Sequence, residues 1–316
     1  MVSVSTTNND DSAVHEKIAP EPQAIQRGGP IGNFFYRLFT EKYMGAFGFI
    51  IFIILLFVGI FAQYIAPEGY NTIHPIDRLQ APSANYWLGT DQLGRDVFSR
   101  IVHGAQFSII IAFSVSAISI VISVALGVTS GYFGGRFDMW SQRSVDAWMS
   151  FPDLIILIVV ISVLGPGMWQ VIFVLSLLYG IAGSRIVRGA VVSVKENVYI
   201  TASQSIGTST FRILTRHILP NVMAPIIVLF TTRLAAVIIA ESGLSFLGLG
   251  VPPPEPSWGG MLSLDGRSYM FLAPWLAIVP GPAITIVVYG INMFGDAMRD
   301  LLDPRLRGGG GRYSGK

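Results

Sequence analysis

The sequence predicts an all-α membrane protein with six transmembrane helices and a helical knob on one side of the bilayer. Three observations carry that prediction. Apolar residues make up 52% of the 316-residue chain and charged residues 13%, against about 25% charged in a soluble domain. The charges cluster, so runs of about 20 apolar residues, enough to cross a bilayer, are left free of them. Lys and Arg also alternate from rich to poor between successive interspan segments, as they do in polytopic membrane proteins.

Residues 1–33 are polar with scattered Pro and Gly and read as a disordered tail. The first span is 44–65. It is not a cleaved leader by this reading: the apolar run is too long, follows about forty residues of tail and has no A-x-A site after it. The second span, 107–131, contains no charge. The third, 151–164, is short and has Asp153 near its start. It is expected to extend back into an amphipathic stretch, 138–149, that turns Met139, Trp140 and Val145 to lipid and Asp138, Gln142 and Arg143 to water. Gly165-Pro166-Gly167 makes a tight break, and 168–183 is the fourth span. The fifth is 222–247 and the sixth 271–294.

Of the 21 Lys and Arg residues, about sixteen fall in the N-terminal tail, the 132–150 loop, the 184–221 loop and the C-terminal segment. The opposite loops hold Arg78, Arg95, Arg100 and Arg267. Positive residues stay inside, so both termini and the 184–221 loop face the cytoplasm.

Within that loop, 198–221 reads VYITASQSIGTSTFRILTRHILPN. Gly207 can take the positive φ that ends one helix. Thr208 or Ser209 can cap a second, which Pro220 is expected to stop. The product is a helix–turn–helix knob with no part in holding the spans together, a handle for something outside the membrane.

Charge inside a span is costly and frequently functional. Arg233 lies near the middle of span five, and Glu241 lies two turns later on the same face, too far for a direct ion pair. Both are candidates for a polar pathway or a subunit interface. Asp91 and Arg95 can pair at i, i+4, and with Asp96 they read as a structural lock, having no nearby His or nucleophile. The four histidines, His15, His74, His103 and His217, have no ligand spacing. His217, at the end of the second knob helix, suits the negative helix end. The absence of cysteine excludes disulfides and thiolate metal sites, and a net charge of +2 gives no argument for nucleic acid. Residues 310–316, GGRYSGK, match a phosphate-loop pattern only formally, since no Ser or Thr follows Lys316 and no strand precedes it. They read as a basic tail, so the chain holds no ATP site.

The knob resembles the coupling loop of ABC importer permeases, E-A-A, three residues, Gly, then Leu-Pro. The matching positions are Thr201, Ala202, Ser203, Gly207, Leu219 and Pro220. LGTDQLGRDVFSR at 88–100, ESGLSFLGLG at 241–250, PPPEPSWG at 252–259 and DLLDPR at 300–305 resemble flanking segments of the dipeptide, oligopeptide and nickel permeases in the same order. One span ahead of the first of these is similar to the C-type subunit. The departure is Thr201, where the family has Glu, which removes an acidic contact. The resemblance implies a type I (MetI-like) permease core at 107–303, a first span with an outer segment at 34–106, and a cytoplasmic basic tail at 304–316. It implies a subunit of the plasma or inner membrane that forms half of a peptide pathway, is no enzyme and has no cofactor. It also implies a paralogous permease, two ATP-binding subunits and an extracytoplasmic binding protein as partners. The rivals are a secondary transporter or channel, for which only Arg233 fits, a non-transporting scaffold or sensor, and a permease for nickel chelates or another small solute.

Overall fold

The computed structural model describes residues 29–302. Helix α1 (Pro30–Glu41) opens with Pro in its first turn, where a missing N–H costs nothing. It buries Leu38 and exposes Tyr36 and Phe39, so the last residues of the expected tail are helical. Residues 1–28 and 303–316, with the rest of that tail and the basic C-terminal segment, lie outside the described residues. Lys42 ion-pairs with Asp300 at the far end of the chain.

Span one is α2 (Tyr43–Ile60), extended by the short α3 (Ala62–Ile65). An irregular outer segment leads to α4 (Val97–Phe133), whose first N–H groups are capped by the Asp96 carboxylate. At 37 residues, α4 is about 55 Å long, well beyond the roughly 30 Å hydrocarbon core. It therefore starts ten residues before the expected span and stands out of the membrane. Next come α5 (Gly135–Met149) and α6 (Asp153–Leu164), bent by 83° where Pro152 interrupts the helix. Alone, α6 is about 18 Å long and too short to cross; only together with α5 does the bent pair have the length and apolarity of a span. Span four is α7 (Met168–Lys195).

The knob contains α8 (Val198–Ser205), α9 (Thr210–Ile213) and α10 (Leu219–Asn221), and span five is α11 (Met223–Phe246). On the outer side α12 (Trp258–Gly260) runs through a π-helical stretch, Met261–Gly266, into α13 (Arg267–Tyr269). Span six is α14 (Trp275–Ile278) with α15 (Pro280–Leu302). It sits later than the expected 271–294, because the charged residues Asp296, Arg299 and Asp300 belong to its C-terminal turns rather than to the next loop.

Lipid gives helices no hydrophobic drive to associate, so close backbone approach must hold them. The α4–α7 crossing shows how. Ser123 Oγ donates to the Gly180 carbonyl at 2.7 Å. A Cβ on Gly127 would sit 2.6 Å from the Ser184 carbonyl oxygen and 2.7 Å from Val187 Cβ, so only Gly permits this spacing. Two ion pairs, Asp138–Arg188 and Asp146–Arg185, fasten α5 to α7. Met139 and Trp140 are exposed as expected, but Val145 is buried. Asp138 faces Arg188, so that side of α5 packs on protein rather than on water.

Candidate functional site

The knob is built on a turn that its sequence dictates. Gly207 has φ +77°. Its N–H donates to the Gln204 carbonyl at 2.9 Å, and Thr208 N–H donates to the Ser203 carbonyl at 3.1 Å. Those two bonds satisfy the end of α8 in the Schellman arrangement, which requires the left-handed residue. Ser209 holds the N-cap position of α9 but makes no side-chain cap bond.

Pro220 does not stop the second helix. A π-helical stretch, Leu214–Ile218, intervenes, with Leu219 N–H donating to the Leu214 carbonyl five residues back. The widened turn absorbs the donor that Pro220 lacks. Asn221 Nδ2 donates to the His217 carbonyl at 2.6 Å, and the helical path continues into α11. His217 lies beside Tyr199, ring centroids 6.4 Å apart.

The knob also has an inner face, contrary to the expectation that it does no work for the spans. Ile200, Ile213 and Ile218 are buried with Val128, Val187, Val191, Val222 and Ile226 from α4, α7 and the start of α11. Lys195 Nζ donates to the Tyr132 carbonyl at 2.6 Å, and Gln204 reaches the Tyr132 hydroxyl at 3.5 Å. Only the tip points away: Thr201, Ala202, Ile206, Phe211 and Arg212 are exposed, and Ser203 is half-buried. Ile206 is 82% exposed and Phe211 76%, in the loop between two spans where solvent rather than lipid is expected. Leu219 is half-buried and Pro220 exposed.

Arg233 is half-buried midway along α11. Its Cζ lies over the Tyr179 ring, 4.6 Å from the centroid, and the Tyr179 hydroxyl donates to the Ala236 carbonyl at 3.5 Å. Among the described residues Arg233 has no hydrogen bond or ion pair, and Asp153 acts on it only at longer range. Glu241 is elsewhere in kind: it is 1% exposed, and its Oε1 accepts from Ser245 Oγ at 2.7 Å. That hydroxyl accepts from Val251 N–H at 3.3 Å, folding the loop after α11 back onto it. The two ionisable residues of span five are not brought together.

On the outer side the predicted lock is present with different geometry. Asp91 Oδ1 accepts from the backbone N–H groups of Leu93 and Arg95, and Oδ2 takes Arg95 Nε at 2.6 Å. This is a turn closed on itself rather than a helical i, i+4 pair. Arg100 Nη1 donates to the Tyr70 and Pro254 carbonyls at 3.1 and 3.4 Å. Asp265 stands 3.8 Å from Arg95. Burial pushes the Asp265 carboxyl above its ordinary value, and Asp91 adds to that shift while Arg100 and Arg95 oppose it. A cavity of about 130 Å³ lies between this turn and the Met261–Gly266 stretch. No group of metal-ligating side chains occurs among the described residues.

Comparison with known families settles which proteins share this arrangement. Residues 123–308 match the family model for the inner membrane component of binding-protein-dependent transport systems. The chain belongs to that family. Residues 32–82 match the N-terminal transmembrane domain of oligopeptide transport permease C. The chain is 37% identical over 272 residues to the dipeptide transport system permease protein DppC of Alkalihalophilus pseudofirmus, covering 86% of this chain and 89% of that one. It is 40% identical over 275 residues to the glutathione transport system permease protein GsiD of Escherichia coli, covering 87% and 90%. It is thus a multi-pass membrane transport subunit and not itself an enzyme.

Tyr179, Tyr132, Asp265 and the Asp138–Arg188 pair were not singled out by the sequence. Each acts through a partner 50 or more residues away, and no local pattern marks that.

Proposed function

We propose that the chain is one membrane half of an ATP-driven importer of short peptides. The peptide assignment rests on the dipeptide and glutathione permeases it resembles. In this reading a paralogous permease supplies the other half of the pathway. Two ATP-binding subunits grip the knob from the cytoplasm, and an extracytoplasmic binding protein delivers the solute. Both termini are cytoplasmic, following the distribution of Lys and Arg.

The observation that carries the proposal is the division of the knob into two faces. Its inner face is cemented to α4, α7 and α11, while Ile206 and Phe211 stand exposed around Thr201 to Ser203. An apolar tip on a rigid base fits a cleft in a partner and can pass that partner's motion to the spans. Arg233 faces the pathway, because a cation at mid-membrane needs water or a polar partner. Glu241, sealed among Ser245 and its neighbours, closes the outer end of α11 instead of lining the route. The test is ATP-dependent uptake of a labelled dipeptide into proteoliposomes holding the assembled complex. Shortening the knob by deleting 204–209 should abolish uptake and release the ATP-binding subunits. Uptake driven by a proton gradient without those subunits would overturn the proposal.

A further inference from the structure

Arg233 is a cation of the spans whose hydrogen-bonding chemistry is unfinished among the described residues. A guanidinium carries five N–H donors, yet among the described residues this one has only the face of the Tyr179 ring. Glu241, eight residues on, is about 12 Å further along the helix, and its Oε1 is engaged by Ser245, too far away to serve Arg233. Asp153, at the first turn of α6, forms no ion pair with it. Leu229 and Val237, one turn to either side on its own face, are buried, yet Arg233 itself keeps partial exposure. The ring fixes the cation in place without using its hydrogen-bonding edge.

From this geometry we infer that Arg233, held by Tyr179, forms a transient subsite in the pathway for the carboxylate of the passing solute. The inference rests on the placement of Arg233 in the pathway proposed above. Peptides carry an α-carboxylate that must leave bulk water to cross, and a fixed, unpaired cation at mid-membrane offsets part of that cost. Conduction requires a site strong enough to receive and weak enough to release. One guanidinium with no second cation beside it among the described residues meets both conditions, whereas a built cage of donors would trap the solute. The Tyr179 ring also gives the site a wall that tolerates varied side chains.

The experiment uses the complete complex with its binding protein, in proteoliposomes, and compares a dipeptide with its C-terminal amide. Each is supplied at a concentration that saturates the binding protein. Loss of a charge-assisted contact is expected to slow uptake of the free acid in Arg233→Gln by about tenfold or more, with the amide changed less than about twofold. Arg233→Lys should restore part of the free-acid rate by keeping the charge. Equal slowing of acid and amide in Arg233→Gln would overturn the subsite. So would loss of the second permease on purification, which would assign Arg233 to a carboxylate of that neighbour. A separate arm tests the placement: Arg233→Cys, in a chain with no other cysteine, should react with a charged thiol reagent during turnover. If it stays unreactive, the pathway placement itself fails and the subsite with it.

Discussion

Replacing Gly207 with Val isolates the conformational basis of the knob. A Cβ at Gly207 would meet nothing within 4 Å, while φ there is +77°. Crowding is therefore no part of the penalty, which comes from the backbone alone. Holding an L-residue in the left-handed region costs about 1–2 kcal/mol, and β-branching makes it worse. If the turn rebuilds to escape that cost, it forfeits the two bonds that close α8, at 2.9 and 3.1 Å, each contributing about 1 kcal/mol net. Either route comes to about 2 kcal/mol or more, or roughly a 30-fold fall in the fraction of knobs with the native turn. Gly207→Asn adds similar bulk but tolerates the left-handed region, so it serves as the control. Uptake in proteoliposomes and co-purification of the ATP-binding subunits should fall at least tenfold for Val and stay near wild type for Asn. Equal loss in Val and Asn, or wild-type behaviour in Val, would refute the reasoning.

Thr201→Glu should be tolerated, with a change in docking of about 0–1 kcal/mol as for an exposed pair; complete loss of assembly would show a cleft shaped around Thr201. Cysteines placed at Arg212 and Arg267 should react from the cytoplasmic and outer sides respectively, and labelling of position 212 by an impermeant reagent from outside would invert the topology. Gly127→Leu should push α4 from α7 and lower stability by about 1–3 kcal/mol, read as a reduced melting temperature in detergent. Asp265 has its carboxyl raised in the folded chain, so the folded state holds that proton more firmly than the unfolded one. Its contribution is greatest below the ordinary carboxylate pKa of about 3.9 and declines as pH rises through the raised value. Wild type should therefore lose stability relative to Asp265→Asn as pH rises between the ordinary and the raised value, and run parallel to it below and above that window; parallel curves throughout would contradict this.

Much of the fold was legible because lipid imposes simple demands. Uncharged runs gave α2, α7 and α11 to within a few residues at their outer ends. The long extension of α4 was not visible, since Arg100 and His103 make 97–106 look like a loop. Those residues are buried by contacts with Tyr70 and Pro254, both outside the helix. The turn at Gly207 followed from local chemistry, whereas continuity past Pro220 did not. Proline is a sound stop signal, and only a widened π turn with its side-chain support from Asn221 evades it. The partner of Arg233 was illegible for a plainer reason: Tyr179 is 54 positions away in an apolar run, where an aromatic residue normally signifies nothing beyond packing.

The π turn makes the two roots of the knob mechanically unequal. On the α7 side the chain breaks at Glu196 and Asn197 before α8 begins, so that root is a joint. On the α11 side the helical path runs from Thr210 through Pro220 with no extended residue, so that root is a shaft. A twist applied at Phe211 meets a joint in the chain toward α7 and a continuous helical path toward α11, both resting on the same buried patch. Arg233 lies 22 residues up that shaft, about 33 Å along it, so on the pathway placement proposed above a rotation of the shaft would be felt at the Arg233–Tyr179 contact. A partner that only pinches the knob could thereby turn the charge that the solute meets.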